Sequence, residues 1–359
     1  MDGVPPKTSY VTRPGRWVGL PKWPAPEIQS QSLPLGNGTL GQDVMASPVA
    51  VKSNVSCGQG FGEYFPFGFG PGELPDDQRA DDALSACFDT QALSEATPLI
   101  GAPRIKLTVS SRTPYAQLAA RLCDVAPDGA STLISIGLLN LQFREGFETP
   151  KALVPDQDYA ITLDLDQAAY VVPKGHRLRL SISPSYWPFI WPERGETTLK
   201  ISQGTLELPV FHDTGGLEWP CPPLTQSDDP ITTVTRSGLE DKRTLIEDGQ
   251  LKLVIHADHG EVEHPDHSLR TSSEIRETWS INQSDISKAS AHIVWNRSVA
   301  RGDFFASTEI VTQMHSDSDT YFVSLNIRAH DAETCVFERQ YQDSFRRDLT
   351  LKGEPTNQT

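Results

Sequence analysis

The chain has 359 residues, with Gly 26, Pro 28, 37% hydrophobic and 22% charged residues; this allows two β-rich domains and argues against global disorder. Its net charge of -16 argues against nucleic acid and anionic membranes as partners, because both require clustered cations. The sequence shows no long apolar run and no secretion signal at its start, so we expect neither a membrane span nor export. The five scattered cysteines lack a C-x-x-C pair, which is typical of reduced thiols in a cytoplasmic protein.

Residues 1–40 are rich in proline and tryptophan, and this proline density forbids a regular helix. We interpret them as an extended linker laid across a surface. Residues 57–70 form a glycine- and aromatic-rich arm, CGQGFGEYFPFGFG. After this arm, we expect a short helix near Asp89–Glu95.

Strand signals with period-two alternation begin at Arg104, and turn signals such as Pro127-Asp128-Gly129 separate them. The predicted strands are Arg104–Ser110, Gln117–Val125, Leu133–Leu141, Tyr159–Leu165, His176–Ser183, Thr198–Ile201 and Thr205–Phe211. We expect the last two to form a short pair around Gly204. Short strands at this spacing predict a jelly-roll β-sandwich over residues 41–222.

A second series of strands follows the segment 219–230, which reads as a linker. It starts with a hairpin around Asp248-Gly249. The strands predicted here are Thr244–Ile246, Leu251–His256, Glu274–Ile281, Ala289–Asn296, Phe304–Met314, Tyr321–Ala329 and Cys335–Gln340. We therefore predict an all-β chain in which a smaller antiparallel subdomain occupies residues 226–350 and a tail occupies 351–359.

The sequence lacks the motifs of the common catalytic and cofactor sites. A serine hydrolase needs a G-x-S-x-G turn to expose its nucleophile, and the lone G-x-S, Gly129-Ala130-Ser131, lies inside a predicted hairpin. Neither a dinucleotide-binding G-x-G-x-x-G after a strand nor a Walker A loop is present. We therefore predict no catalytic residue, no metal ligand and no bound cofactor in this chain.

The segment His256–His267 is the one candidate for a metal-dependent enzyme, because it is dense in imidazoles and carboxylates. Its Gly260 and Pro265 interrupt any fixed face, which favours a solvated polar hairpin instead.

The aromatic loop Tyr186–Pro192 has two readings. It forms a pocket wall or interface, as aromatic anchors often do, or it folds back to cap its own sandwich. As an alternative function, the chain is a carbohydrate-binding module in which a sugar stacks on the Trp187 ring of this loop.

Several further motifs resemble one family in both order and spacing. They are Leu74-Pro75-Asp76-Asp77-Gln78-Arg79-Ala80-Asp81-Asp82-Ala83-Leu84-Ser85, Ala120-Arg121-Leu122-Cys123-Asp124-Val125, and Gly175-His176-Arg177-Leu178-Arg179-Leu180-Ser181-Ile182-Ser183 with its aromatic loop. The chain resembles the C-terminal domain of the X-Pro dipeptidyl-peptidase/cocaine-esterase family of serine hydrolases, specifically over residues 40–220 and more loosely from 225 to 350. After Asn140-Leu141 the chain has Gln142-Phe143-Arg144 where the family pattern has a small polar residue and a histidine.

The resemblance implies a galactose-binding-like jelly roll that follows an α/β-hydrolase domain. That upstream domain carries the Ser, His and Asp of a dipeptidyl-peptidase or acyl esterase, and the jelly roll packs on it and helps to wall its acyl pocket. The expected partner is this catalytic half, upstream or separately encoded, or a second copy of the chain. The candidate docking and pocket-wall residues are Tyr64, Phe65, Phe67, Phe69, Tyr186, Trp187 and Trp191.

Overall fold

The computed structural model describes residues 16–62, 74–213, 215, 218–219 and 232–348. These residues divide into two compact units, an N-terminal unit that extends to residue 219 and a C-terminal unit that begins at residue 232. Nearly all the described secondary structure is antiparallel β-strand, which confirms the predicted all-β class. Within the described ranges, no helix has the length and hydropathy needed to cross a bilayer.

The N-terminal unit is a sandwich of two sheets, as predicted. The larger sheet contains β1 (Ile28–Pro34), β2 (Val49–Lys52), β4 (Thr97–Gly101), β5 (Arg104–Ser111), β8 (Tyr159–Asp164), β9 (Ala168–Val172) and β11 (Thr198–Phe211). The smaller sheet contains β3 (Ala86–Asp89), β6 (Gln117–Val125), β7 (Ser131–Asn140) and β10 (Arg177–Ser183), in the order β3-β10-β6-β7. Strand β1 lies in the range interpreted as a linker, and it pairs with β11 along its whole length.

The core lies between these two sheets because alternate residues of strands such as β5 and β6 are apolar. In β6, Leu118, Ala120 and Leu122 enter the core, whereas Arg121 and Cys123 face the outer side of the smaller sheet. Burial of the apolar side chains is the main source of stability for this unit.

Two local predictions were wrong. The pair of strands around Gly204 is one continuous strand, β11, in which the glycine makes room for Leu35 and Leu107 rather than a turn. The helix near Asp89–Glu95 is also absent, since Asp89 ends β3. The helix of this region is α1, Arg79–Asp82, which lies earlier in the chain.

The C-terminal unit is one eight-stranded antiparallel sheet. Its strands are β12 (Thr233–Arg236), β13 (Leu239–Glu247), β14 (Gln250–His264), β15 (Leu269–Asn282), β16 (Asp285–Arg301), β17 (Phe304–Ser316), β18 (Thr320–Asp331) and β19 (Thr334–Arg346). Strands β14 to β19 pair in chain order, and β12 and β13 both pair with β14. These strands are longer than predicted; β14 continues past His256 because Gly260 forms a bulge there instead of a turn.

Candidate functional site

Three irregular segments lie over the outer face of the smaller sheet and bury its polar side chains. These segments are residues 54–62, residues 76–85 with α1, and the loop 184–193. Their hydrogen bonds converge on a layer of buried and half-buried polar groups that we call the polar layer. Its members are Gln78, Asp81, Asp82, Ser85, Asp89, Arg121, Ser131, Arg179, Ser181 and Tyr186.

Asp82 is the charged centre of this layer. Its side chain is 3% exposed and lies 3.2 Å from the guanidinium of Arg121, which is 1% exposed. The other carboxylate oxygen lies 3.1 Å from Arg179, and Arg179 in turn forms a bidentate pair with Asp89 at 2.7 and 2.8 Å. The hydrogen bonds to Asp89 raise the pKa of Arg179. Buried charges are tolerated only when each is paired in this way.

Two hydroxyl groups complete the environment of Asp82. Ser131 and Ser181 donate hydrogen bonds to its two oxygens at 2.8 and 2.7 Å. Because Ser131 begins β7 and Ser181 lies in β10, one carboxylate ties α1 to two strands of the smaller sheet. Asp82 therefore fixes the position of the covering segments on the sheet.

Gln78 links the same layer to the aromatic loop. Its carbonyl oxygen accepts hydrogen bonds from Arg121 and from the hydroxyl of Tyr186, both at 2.9 Å. Its amide donates to the backbone oxygen of Gly60 at 2.7 Å. Tyr186 is fully buried, and this burial raises the pKa of its hydroxyl well above the ordinary value of 10.0. Tyr186 thus anchors the loop 184–193 as a neutral hydrogen-bond donor.

Gly58 sets how closely the segment 54–62 approaches the loop. Its φ angle is +112°, and a Cβ atom at this position would lie 2.5 Å from the backbone oxygen of Trp187. Its N–H donates to Asp81 at 2.8 Å, and burial raises the pKa of Asp81 in opposition to this hydrogen bond. Only glycine fits both the backbone conformation and the space.

Two buried thiols line this region. Burial raises the pKa of Cys57 from 9.0 to about 11 and that of Cys123 to about 12. Reactive cysteines need a depressed pKa and access to solvent, so these two thiols are structural. Neither is placed to act as a nucleophile.

The aromatic loop has a buried side and a surface side. Tyr186 and Trp187 are 0% and 1% exposed, whereas Phe189, Ile190 and Trp191 are half-buried. The ring centroids of Phe189 and Phe61 lie 3.8 Å apart with the two rings tilted by 35°. The ring of Trp191 meets that of Trp187 edge-on, with the centroids 5.5 Å apart. Of the seven predicted docking residues, Tyr186 and Trp187 therefore support the loop from inside and Trp191 reaches the surface.

The other four predicted docking residues, Tyr64, Phe65, Phe67 and Phe69, lie outside the described residues. The alternative in which a sugar stacks on Trp187 requires an accessible ring face, and this ring is 1% exposed.

Sequence reasoning missed the roles of Gln78, Asp82 and Arg121 in holding this loop. An available signal was Arg121, a charged residue in the middle of an otherwise apolar strand, which implies a buried partner. The identity of that partner, 39 residues away in sequence, depends on the tertiary fold.

The histidine-rich segment is spread along β14 and the following turn. The Nε2 atom of His256 shares a hydrogen bond of 2.8 Å with the Glu274 carboxylate. The Nδ1 atom of His259 lies 3.9 Å from the Glu240 carboxylate. His264 and His267 stack with their ring centroids 5.6 Å apart. Among the described residues, no three histidine, cysteine or acidic side chains come together as a metal site.

Comparison with known proteins identifies relatives of the N-terminal unit. Residues 2–221 match the sequence profile of the X-Pro dipeptidyl-peptidase C-terminal non-catalytic domain. The chain is 25% identical over 205 residues to a cocaine esterase of Rhodococcus sp. (strain MB1 Bresler), a match that covers 52% of this chain and 35% of that protein. It is 32% identical over 139 residues to a putative Xaa-Pro dipeptidyl-peptidase of Rhodopirellula baltica, covering 36% of this chain and 22% of the relative.

The matched region therefore spans about a third or less of the length of these relatives. A solved alpha-amino acid ester hydrolase is 23% identical with a TM-score of 0.45, and the match covers 50% of this chain and 36% of that structure.

Proposed function

The chain belongs to the family of X-Pro dipeptidyl-peptidase C-terminal non-catalytic domains, and from this membership we propose that it is the accessory part of a serine hydrolase that packs on an α/β-hydrolase catalytic domain. In this role, it helps to shape the pocket that receives the acyl or peptide substrate. The absence of a G-x-S-x-G motif supports an accessory role, since this chain has no nucleophile turn of its own.

The observation that carries the proposal is the rigid support beneath the loop 184–193. The buried Tyr186 and Trp187 fix the loop from inside, while Phe189, Ile190 and Trp191 form an apolar rim at the surface. Aromatic side chains on a preorganised backbone are typical of interface anchors, because little entropy is lost when they bind. We therefore assign docking to the surface of this loop, with Trp191 as its central side chain.

A cytoplasmic location belongs to the same proposal. The four described cysteines, Cys57, Cys87, Cys123 and Cys335, are all free thiols. Free thiols of this kind suit a reducing compartment.

The test is to combine the full chain with an α/β-hydrolase from the same organism that carries a G-x-S-x-G motif, whether it is encoded upstream or separately. We expect no hydrolysis of p-nitrophenyl acetate by the chain alone, and hydrolysis by the pair that a fluorophosphonate blocks. Trp191→Ala should weaken binding of the hydrolase by about tenfold, as for a moderate interface anchor. Trp23→Ala is the matched control, because Trp23 is 60% exposed and lies against Gly101 in the other sheet.

Three results would contradict the proposal. They are fluorophosphonate-sensitive turnover by the chain alone, failure of the chain to bind any G-x-S-x-G hydrolase of its organism, and equal binding losses in the two tryptophan variants.

A further inference from the structure

The two faces of the C-terminal sheet differ sharply in polarity. In antiparallel strands, residues directly opposite each other point to the same face, so the strand register assigns every side chain. One row across the sheet is Ile275, Trp295, Ile310, Ile327 and Arg339. The adjacent row, one residue along and on the other face, is Glu274, Asn296, Glu309, Arg328 and Glu338. We call these the apolar face and the polar face.

The apolar face continues along strands β16 to β19. Its further rows contain Ile293, Leu325 and Tyr341, then Met314 and Val323, and finally Phe337 and Phe345 towards the two ends of β19. Several of these large side chains are open to solvent: Trp295 is 36% exposed, Tyr341 45%, Phe337 47% and Phe345 53%. An apolar surface of this extent is unusual on an isolated unit.

The polar face, in contrast, is adapted to water. Arg328 lies 2.9 Å from Glu338 and 3.5 Å from Glu309, an ion-pair row across three strands. Ser272 and Ser298 share a hydrogen bond of 2.6 Å on the same face. A sheet with one polar and one apolar face is stable when the apolar face packs against another layer. The sheet therefore needs a second layer on its apolar face alone.

The dimensions and charges of this face fit a second copy of the same chain. Four strands about 4.8 Å apart and about 12 residues long give a face of roughly 20 by 40 Å, or about 800 Å². That matches the area of about 800 Å² that each partner contributes to a standard stable interface. The charges on β19 that share this face have both signs, Arg339 and Asp343, so two copies related by a two-fold axis complement each other.

The match to the family profile ends at residue 221, before the C-terminal unit begins. The sheet is therefore additional to the part of the chain that resembles the accessory domains of the hydrolases, and its partner need not be their catalytic domain.

We infer that the chain forms a homodimer in which the apolar faces of β16–β19 from two copies stack as a β-sandwich. The sheets lie about 10 Å apart, as in other face-to-face packings. The row of Ile293, Leu325 and Tyr341 forms the centre of the interface, with Trp295 and Phe337 to one side of it. Arg339 of each copy meets Asp343 of the other across this row.

Sedimentation velocity of the full chain over a range of micromolar concentrations tests this dimer. We expect a dimer that dissociates on dilution, with Phe337→Glu and Tyr341→Glu each raising the dissociation constant by about tenfold or more. The matched controls, Gln340→Glu and Gln342→Glu, add the same charge to the polar face of the same strand and should change it by less than about twofold.

A charge exchange tests the geometry without removing apolar surface. Arg339→Asp and Asp343→Arg should each weaken the dimer, and the double variant should restore it, with circular dichroism spectra unchanged because both residues are exposed. A monomer at every concentration, equal weakening by variants of both faces, or no rescue in the double variant would each overturn the inference. A dimer that pairs only through the β19 edge would give the second of these results.

Discussion

The two units show different ways to use a β-sheet. In the N-terminal unit, the smaller sheet is covered on both sides, by the larger sheet and by irregular segments held through the polar layer. In the C-terminal unit, one long sheet leaves an apolar face accessible along β16–β19. In the first unit, the buried charges of the polar layer are paired within the unit. In the second unit, the polar face carries ion pairs, whereas the apolar face along β16–β19 lacks a covering layer within the described C-terminal residues.

This difference separates two kinds of functional surface. The loop 184–193 is preorganised from below, so a partner that binds there meets a fixed shape. The apolar face is stabilised only when another layer of protein packs on it and buries its side chains. Changes in the polar layer should therefore act on folding, whereas changes on the apolar face should act on association.

The largest expected effect comes from breaking the polar layer at Arg121. Arg121→Met leaves Asp82 with an incompletely paired buried charge, so we expect the N-terminal unit to lose about 3 to 5 kcal/mol of unfolding free energy. Urea denaturation followed by tryptophan fluorescence, to which the buried Trp187 contributes, measures this loss. The control Arg328→Met removes an exposed ion-pair partner from the C-terminal sheet and should leave the urea midpoint of the N-terminal unit unchanged. Similar losses in both variants would refute the contrast between the units.

The next largest effect is expected at Gly58, where the backbone lies close to the aromatic loop. Gly58→Ala places a Cβ atom against backbone that cannot move away, so we expect a loss of about 3 kcal/mol from strain and overpacking. Gly129→Ala is the control: its φ is +90°, no atom lies within 4 Å of the added Cβ, and it should cost about 1 kcal/mol. Thermal unfolding compares the two variants. Equal shifts would mean that the contact with Trp187 does not hold the loop.

The fold was predictable from sequence wherever alternation was strong. Gln117–Val125 was predicted with the bounds that the structure shows, because apolar residues alternate there and turn residues follow. Gly204 failed as a turn signal because glycine also serves where another side chain must approach the backbone, here Leu107. That distinction depends on the neighbouring strand, which local sequence does not specify.

The candidate site was predictable only as a segment. Aromatic composition pointed to Tyr186–Pro192, but the orientation of each ring depends on Gln78 and Gly58, which are distant in sequence. The alternation of apolar and polar residues along β16 to β19 already predicts that each strand has one apolar and one polar side. The open apolar face emerged only when the register joined those strands into one sheet.

The last comparison is between cysteines of the two units. The buried Cys57 and Cys123 should resist iodoacetamide in the folded chain, whereas the exposed Cys335 on β19 should react at once, as mass spectrometry of the labelled peptides would show.

The same two buried thiols predict how stability depends on pH. The folded pKa values of Cys57 and Cys123, about 11 and about 12, lie above the ordinary 9.0, so the unfolded chain releases these protons first as the pH rises. The stability that they contribute is complete below about pH 9 and should fall between pH 9 and pH 12. Cys123→Ala should flatten this alkaline decline and Cys335→Ala should not; a decline of equal slope in both would place its origin outside the buried layer.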